Sequence, residues 1–186
     1  MTLTEMETQI LSMIEEVNEN NPDLTDDPDI QAKIFYVINQ IQNELSRIKK
    51  ITAYEIYEVT SIDDVYSLPD KLSNFYQLNK ILGVKYNIID DKVIWEETGT
   101  AKIFYYKYPE QITSETDVDS YKFELSQDVL EILPYGVAGD LLKSDPSTNY
   151  GQIYSNRYEQ MKQQLDPRPH TGFIYINDEE CLNEFL

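Results

Sequence analysis

The chain predicts an α+β fold: a helical bundle built from its N- and C-terminal helices, an antiparallel β block inserted between them, and an extended C-terminal tail. Three observations carry that expectation. Ile30, Ile34, Val37, Ile38, Ile41, Leu45 and Ile48 recur at helical spacing. From Ala53 to about Leu125 the period drops to two, and β-branched and aromatic residues dominate. Helical spacing returns after Pro134 and persists to Leu165. The expected division is a discontinuous helical domain of 1–52 and 126–165, a β subdomain of 53–125 and a tail of 166–186.

At the N-terminus, Thr4 with Glu7 three residues on fits a capping box. Met6, Ile10, Met13, Ile14 and Val17 then follow helical spacing, so a helix is predicted over about 4–18, ended by an Asn-rich run and Pro22. Asp27 caps a second helix of about 28–50, with Pro28 at the first helical position, where its missing N–H costs nothing. Lys49 and Lys50 at its end complement the helix dipole. Residues 54–59 read as a strand, Leu68-Pro69-Asp70 as a turn into a short irregular or helical piece through Phe75. Segments 86–89 and 92–95 flank Asp90-Asp91 as a hairpin. Thr100–Tyr106 is a further strand, stopped by Tyr108-Pro109, and Tyr121–Leu125 a last short one. A helix starts at Pro134, breaks at Asp145-Pro146, and is followed by another over about 147–165. Neither pair of helices buries its apolar stripe alone, so the two pairs are expected to pack together.

Composition narrows function by exclusion. The net charge is −19 over 186 residues, with a sequence pI near 4.2. A nucleic-acid-binding surface needs clustered Lys and Arg to displace counterions from phosphates, and an anionic membrane surface makes the same demand. No apolar run approaches the roughly 20 residues of a membrane helix. The N-terminal MTLTEMETQI is acidic and lacks the basic start and apolar centre of a signal peptide, which predicts a complete cytosolic product. One cysteine, Cys181, and one histidine, His170, leave most hydrolytic and metal-centred mechanisms without their usual parts.

The remaining chemistry is thin. Acidic pairs occur at Asp26/Asp27, Asp63/Asp64, Asp90/Asp91 and Glu96/Glu97. Asp23–Asp29 has the carboxylates of a calcium loop but no glycine for its sharp turn, and prolines interrupt it. Carboxylates placed for glycoside hydrolysis carry no signal in so acidic a chain, and Trp95 reads as strand core. His170 has no nucleophile elbow for company, and the neighbouring Glu179 and Glu180 raise the Cys181 thiol, which is wrong for a nucleophile. Gly136 and Gly139 fall inside a predicted helix, where close helix packing is the simplest reason for them. No catalytic residue, cofactor or metal is expected, and the chain reads as a non-enzyme.

The 15 tyrosines say more. Tyrosine joins apolar area to a polar tip and is enriched at protein–protein interfaces. Tyr105, Tyr106, Tyr108, Tyr150, Tyr154, Tyr158 and Tyr175 cannot all be core in one small domain, and Tyr150, Tyr154 and Tyr158 on the last helix, with Phe173, Tyr175 and Ile176 in the tail, are the expected interface residues.

The layout resembles the head–tail connector (adaptor or neck) proteins of tailed bacteriophages. Three stretches carry the likeness over about 1–165. One is the N-terminal helix pair with its Asp27-Pro28 entry. The second is Leu68-Pro-Asp-Lys-Leu-Ser-Asn-Phe75, then Ile103-Phe-Tyr-Tyr-Lys-Tyr-Pro109 with Ile112-Thr113. The third is Leu133-Pro-Tyr-Gly-Val-Ala-Gly-Asp-Leu-Leu142 ahead of Tyr150–Leu165, in the manner of the family's core helix followed by a tyrosine-rich seam. Some members are purely helical, so the strand block departs from those versions, and the tail after Asp166 is not covered.

The resemblance implies a structural virion protein of the phage neck, made in the host cytoplasm. It implies a homo-oligomeric ring, usually a dodecamer, docked beneath the portal protein and meeting a tail-completion or stopper protein. DNA passes through such a ring without specific binding, and no membrane is involved. About twelve copies would carry roughly −230 in formal charge, which repels phosphates. The tail would reach a neighbour or the portal, with 173–176 adding as a strand to an exposed sheet edge. Two other readings stay open: an acidic DNA mimic or other protein-binding module, and an enzyme with a carboxylate-based site.

Overall fold

A computed structural model describes residues 1–16, 25, 27–144 and 149–165. The elements run α1 (Leu3–Met13), α2 (Pro28–Ile48), β1 (Ile51–Val59), β2 (Val65–Ser67), α3 (Leu68–Lys71), β3 (Phe75–Leu82), β4 (Tyr86–Ile89), β5 (Lys92–Trp95), β6 (Gly99–Lys107), α4 (Gln127–Leu130), α5 (Leu133–Leu141), a 3-10 turn (Leu142–Ser144) and α6 (Tyr150–Leu165). This is the α+β architecture that the sequence predicts, with terminal helices forming one layer and antiparallel strands inserted between them. The tail of 166–186, and Val17 at the expected end of the first helix, lie outside the described residues.

Capping decides where the helices begin. Thr2, not Thr4, is the N-cap of α1: its hydroxyl accepts the Glu5 N–H at 3.2 Å, while the Glu5 carboxylate accepts the Thr2 N–H at 2.9 Å. Both threonines have a glutamate three residues on, but starting at Thr2 brings Leu3 into the core and extends the buried stripe of Met6 and Ile10. The Thr4 hydroxyl instead donates to the Val118 carbonyl at 3.3 Å. Asp27 caps α2 as expected, its carboxylate accepting the N–H groups of Asp29 and Ile30 at 2.8 and 3.3 Å. Helix α5 sits at the centre of the layer and packs against α1, α2 and α6. Its Leu133, Val137 and Ala138 are fully buried.

The strands form two three-stranded antiparallel sheets, ordered β1–β6–β3 and β2–β5–β4. Their inner faces close over one core containing Val59, Tyr66, Ile81, Val93, Trp95 and Ile103, which makes a small sandwich. The hairpin at Asp90-Asp91 is present, with Asp90 in the left-handed region at φ +55°. Gly83 occupies φ +102°, and a Cβ there would lie 2.3 Å from the Thr100 carbonyl oxygen, so this turn requires glycine.

Three strand assignments change. Strands β2 and β3 were not expected. In β3 the pairing with β6 shifts between Phe75 and Gln77 and again between Leu78 and Lys80, and these irregularities break the period-two signal. The expected strand at Tyr121–Leu125 makes a single bridge, Thr2 to Lys122, and pairs with nothing else. It alternates because Tyr121, Phe123 and Leu125 point into the helical core while Lys122 and Glu124 face outward. Ile112, Val118 and these three residues therefore pack with the helices, although the sequence groups them with the strands.

The chain leaves β6 at Lys107 and crosses back over α2 as irregular backbone. Two side chains of α2 satisfy it. Asn39 donates to the Ile112 carbonyl at 2.7 Å and accepts the Ile112 N–H at 2.9 Å, as a strand neighbour would. Gln42, fully buried, donates to the Glu110 carbonyl at 3.1 Å and to Asn39 at 2.9 Å. The Tyr121 hydroxyl closes the group on the same Glu110 carbonyl at 2.7 Å.

Helices α5 and α6 touch through glycine. A Cβ on Gly139 would lie 2.9 Å from the Ser155 backbone nitrogen, and one on Gly136 would lie 2.9 Å from the Tyr158 ring. The close packing expected of these glycines is thus present. Gly139→Ala must push the helices apart, because the obstacle is backbone, and is expected to cost about 1–3 kcal/mol. Asn39→Leu strands a partly buried N–H and carbonyl of Ile112 and is expected to cost about 1–3 kcal/mol for each. Urea unfolding of the two variants beside the parent checks both; an unchanged midpoint for either removes its explanation.

Candidate functional site

The expected interface residues do not share one environment. Tyr150 opens α6 and is 47% exposed, and Ile153, one turn on, is 54% exposed. The Tyr150 ring stacks on Tyr154, with centroids 6.3 Å apart and planes 25° from parallel. Tyr154 is half-buried: its ring tilts against Tyr135, and its hydroxyl donates to the Met13 carbonyl at 2.9 Å, tying α6 to the end of α1. Tyr158 is 5% exposed and belongs to the helical core beside Ile41 and Gly136, so it is not available to a partner. Helical spacing put all three on one face, and that face turns into the bundle as α6 proceeds. Phe173, Tyr175 and Ile176 lie outside the described residues, as do His170 and Cys181.

A charged cluster lies at the far end of α6. Lys162 pairs with Glu44 of α2 at 2.7 Å and with Glu159 at 2.5 Å, and its ammonium sits 4.8 Å from the centre of the Tyr158 ring. Burial on its own would lower the Lys162 pKa, but the hydrogen bonds to Glu159 and Glu44 outweigh it and raise it. Burial, and then the Glu44 carboxylate, raise the Tyr158 phenol. The Glu44 pair joins α6 to α2, and the Glu159 pair lies within α6.

A groove of about 490 Å³ runs between α2, α5 and α6. Gln40, Glu44, Asp140, Gln152, Ser155 and Glu159 give it a polar, acidic lining. Its three carboxylates are already paired with Lys162 and Lys143, so these walls suit a neutral polar segment better than an apolar one. Among the described residues no group of three or more His, Cys, Asp or Glu side chains could hold a metal ion. No helix among them is long and apolar enough to cross a membrane.

The most exposed large apolar residue is Tyr36 of α2, at 70%, but most of the others sit on the sandwich. Tyr54 is 65% exposed, Val65 58% and Ile89 59%. Trp95, by contrast, is core as expected, with Tyr57 stacked on it at 5.8 Å. The signal was present in β1, where Ala53, Tyr57 and Val59 face the core while Tyr54 and Ile56 cover the other side. A strand with one wet face alternates apolar with polar. β1 does not, so its outer face is more apolar than water alone would favour.

The chain matches no protein-family model and no curated protein.

The buried phenols set a pH dependence. Burial pushes Tyr66 and Tyr121 up to about 12 from the ordinary 10.0. Both stay neutral in the folded chain where the unfolded chain would ionise them. Their contribution to stability is therefore complete below about pH 10 and is lost as the pH rises towards 12. Lys162 adds a loss of the same sign above its ordinary 10.5. Denaturant unfolding at a series of pH values across this interval should show stability falling, and Tyr66→Phe should make the fall shallower. A flat profile would refute the assignment.

Proposed function

We propose that this chain is a structural subunit of a bacteriophage neck: a head–tail connector that docks beneath the portal as a ring through which DNA passes. The observation that carries the reading is the place of the Leu133–Leu142 stretch. In the family it resembles, such a stretch opens a core helix that is followed by a tyrosine-bearing helix. Here it forms the central buried helix α5, packed against α1, α2 and α6, with Tyr150 and Tyr154 on the helix that follows.

Two further features support it. The helical layer and the inserted sandwich give the subunit two separate apolar cores, and a rigid ring element needs each part to hold its shape against neighbours. The charge of −19 suits a channel that must release DNA, since carboxylates repel phosphates. The DNA-mimic reading is weaker, because a mimic presents carboxylates along one face, and an exposed face of this chain carries Lys50, Lys80 and Lys102 instead.

The test is negative-stain imaging of the purified protein, alone and mixed with the portal protein encoded by the same genome. Rings that cap the portal are the expected result. A chain that binds no portal in either imaging or co-sedimentation overturns the proposal.

A further inference from the structure

The sandwich has two outer faces, one on each sheet, and they point in opposite directions. Both carry exposed apolar residues; unpaired lysines stand on one, and exposed aspartates in the flanking turns edge the other.

The outer face of β1–β6–β3 is laid out by its register. Tyr54, Phe104 and Lys80 form one row across the three strands, and Ile56, Lys102 and Leu82 form the next. Tyr54 and Phe104 have ring centroids 6.0 Å apart, and the Lys80 ammonium lies 5.2 Å from the centre of the Phe104 ring. Ile56 is 54% exposed and Leu82 47%. Lys50 adds a third cation, 4.6 Å from the centre of the Tyr106 ring in the adjoining row. None of these three lysines has a carboxylate partner among the described residues, in a chain with 34 acidic and 15 basic side chains. Glu58 is the acidic residue on this face, and it accepts from the Thr100 hydroxyl at 2.8 Å.

The outer face of β2–β5–β4 is the counterpart. Val65, Ile94 and Asn87 make one row; Ser67, Lys92 and Ile89 make the next. Asp63 and Asp64 precede Val65, and Asp90 and Asp91 form the turn after Ile89. These four aspartates are exposed and make no ion pair among the described residues. Lys92 is the cation of this face.

We propose that copies of this chain associate head to tail, the lysine-bearing outer face of β1–β6–β3 in one copy packing on the aspartate-flanked outer face of β2–β5–β4 in the next. Exposed apolar patches of this kind mark association surfaces. The occupant follows from charge. A cationic apolar face needs an anionic apolar partner, and every copy carries one on its opposite side. A two-fold pairing of like faces would set lysines against lysines and aspartates against aspartates, which is unfavourable. Unlike faces on opposite sides of one subunit give a heterologous contact, which closes into a ring or continues as a filament. The pairing rests on the ring reading only in that a ring needs two unlike faces; binding to a portal is a separate property.

The test uses the full chain with Cys181→Ser to remove its native thiol. One preparation carries Ile56→Cys and another Val65→Cys, both at exposed positions. They are treated with a short bismaleimide, separately and mixed, up to millimolar concentration. The mixture should give the unlike product at roughly ten times the yield of either like product, the ratio that ~1.4 kcal/mol of discrimination sets. Lys80→Glu with Lys102→Glu in the first preparation should abolish that product, and Asp63→Lys with Asp90→Lys in the second should restore it. Far-UV circular dichroism identifies any variant that fails to fold. Equal like and unlike yields, no product at millimolar chain, or indifference to charge reversal would each overturn the proposal. Cross-linked chains that ignore the portal would sink the connector reading and leave the face pairing standing. Portal-capping rings without the unlike product would do the reverse.

Discussion

Everything in this fold depends on how the chain returns from the sheet to the helices. After β6 it must cross the face of α2 as backbone that belongs to neither a helix nor a strand. A buried peptide group without a partner costs more than a typical hydrogen bond contributes net. Asn39 and Gln42 meet that constraint from a largely apolar helix face, alongside Ile38, Ile41 and Leu45. Their bonds fix where 110–112 lies, and that placement brings Ile112, Tyr121 and Phe123 over the helical core. Without that cover α1 and α5 would leave apolar surface in water. The polar group is therefore small in area and large in consequence.

The two cores divide the labour. The helical layer holds its members by apolar packing, by glycine contacts that let α5 and α6 approach closely, and by the Lys162 pairs. The sandwich depends instead on a tight aromatic interior in which Tyr57, Tyr66 and Trp95 meet with centroids 4.6 to 6.0 Å apart. A small sandwich has little interior, and large aromatic rings fill it efficiently. It also has much surface for its size, and here that surface carries apolar residues beyond what the core uses. The helical layer spends its tyrosines differently. Tyr154 reaches Met13, Tyr121 reaches Glu110, and Tyr150 faces water. One residue type thus supplies core, tether and exposed patch.

Much of the fold was legible because some signals are local. The α2 stripe and its Asp27-Pro28 entry, the Asp90-Asp91 hairpin and the strand at 99–107 needed no knowledge of distant residues. The errors share a cause. β3 hid its alternation behind two register shifts, and Tyr121–Leu125 alternated without a strand beside it. Period two reports which side of the chain is buried; it does not report whether another strand supplies hydrogen bonds. Likewise, Thr2 and Thr4 both offered a capping box, and the choice fell to the burial of Leu3. For the candidate interface the same limit applied. Helical spacing grouped Tyr150, Tyr154 and Tyr158, yet the first is exposed and the last is core.

The sequence by itself determined the α+β class, the order of helices, strands and helices, the surplus of negative charge and the sparseness of catalytic side chains. These depend on composition and on short-range periodicity, which a linear chain carries openly. Only the tertiary structure decided that segment 110–125 joins the helices, that Tyr158 is buried, and that the three lysines among its few cations gather on one outer sheet face. Lys50, Lys80 and Lys102 are far apart in sequence and become neighbours through the register of β1, β6 and β3. A surface is made of residues from several strands, and strand pairing, a long-range choice governed by burial and turn geometry, brings them together.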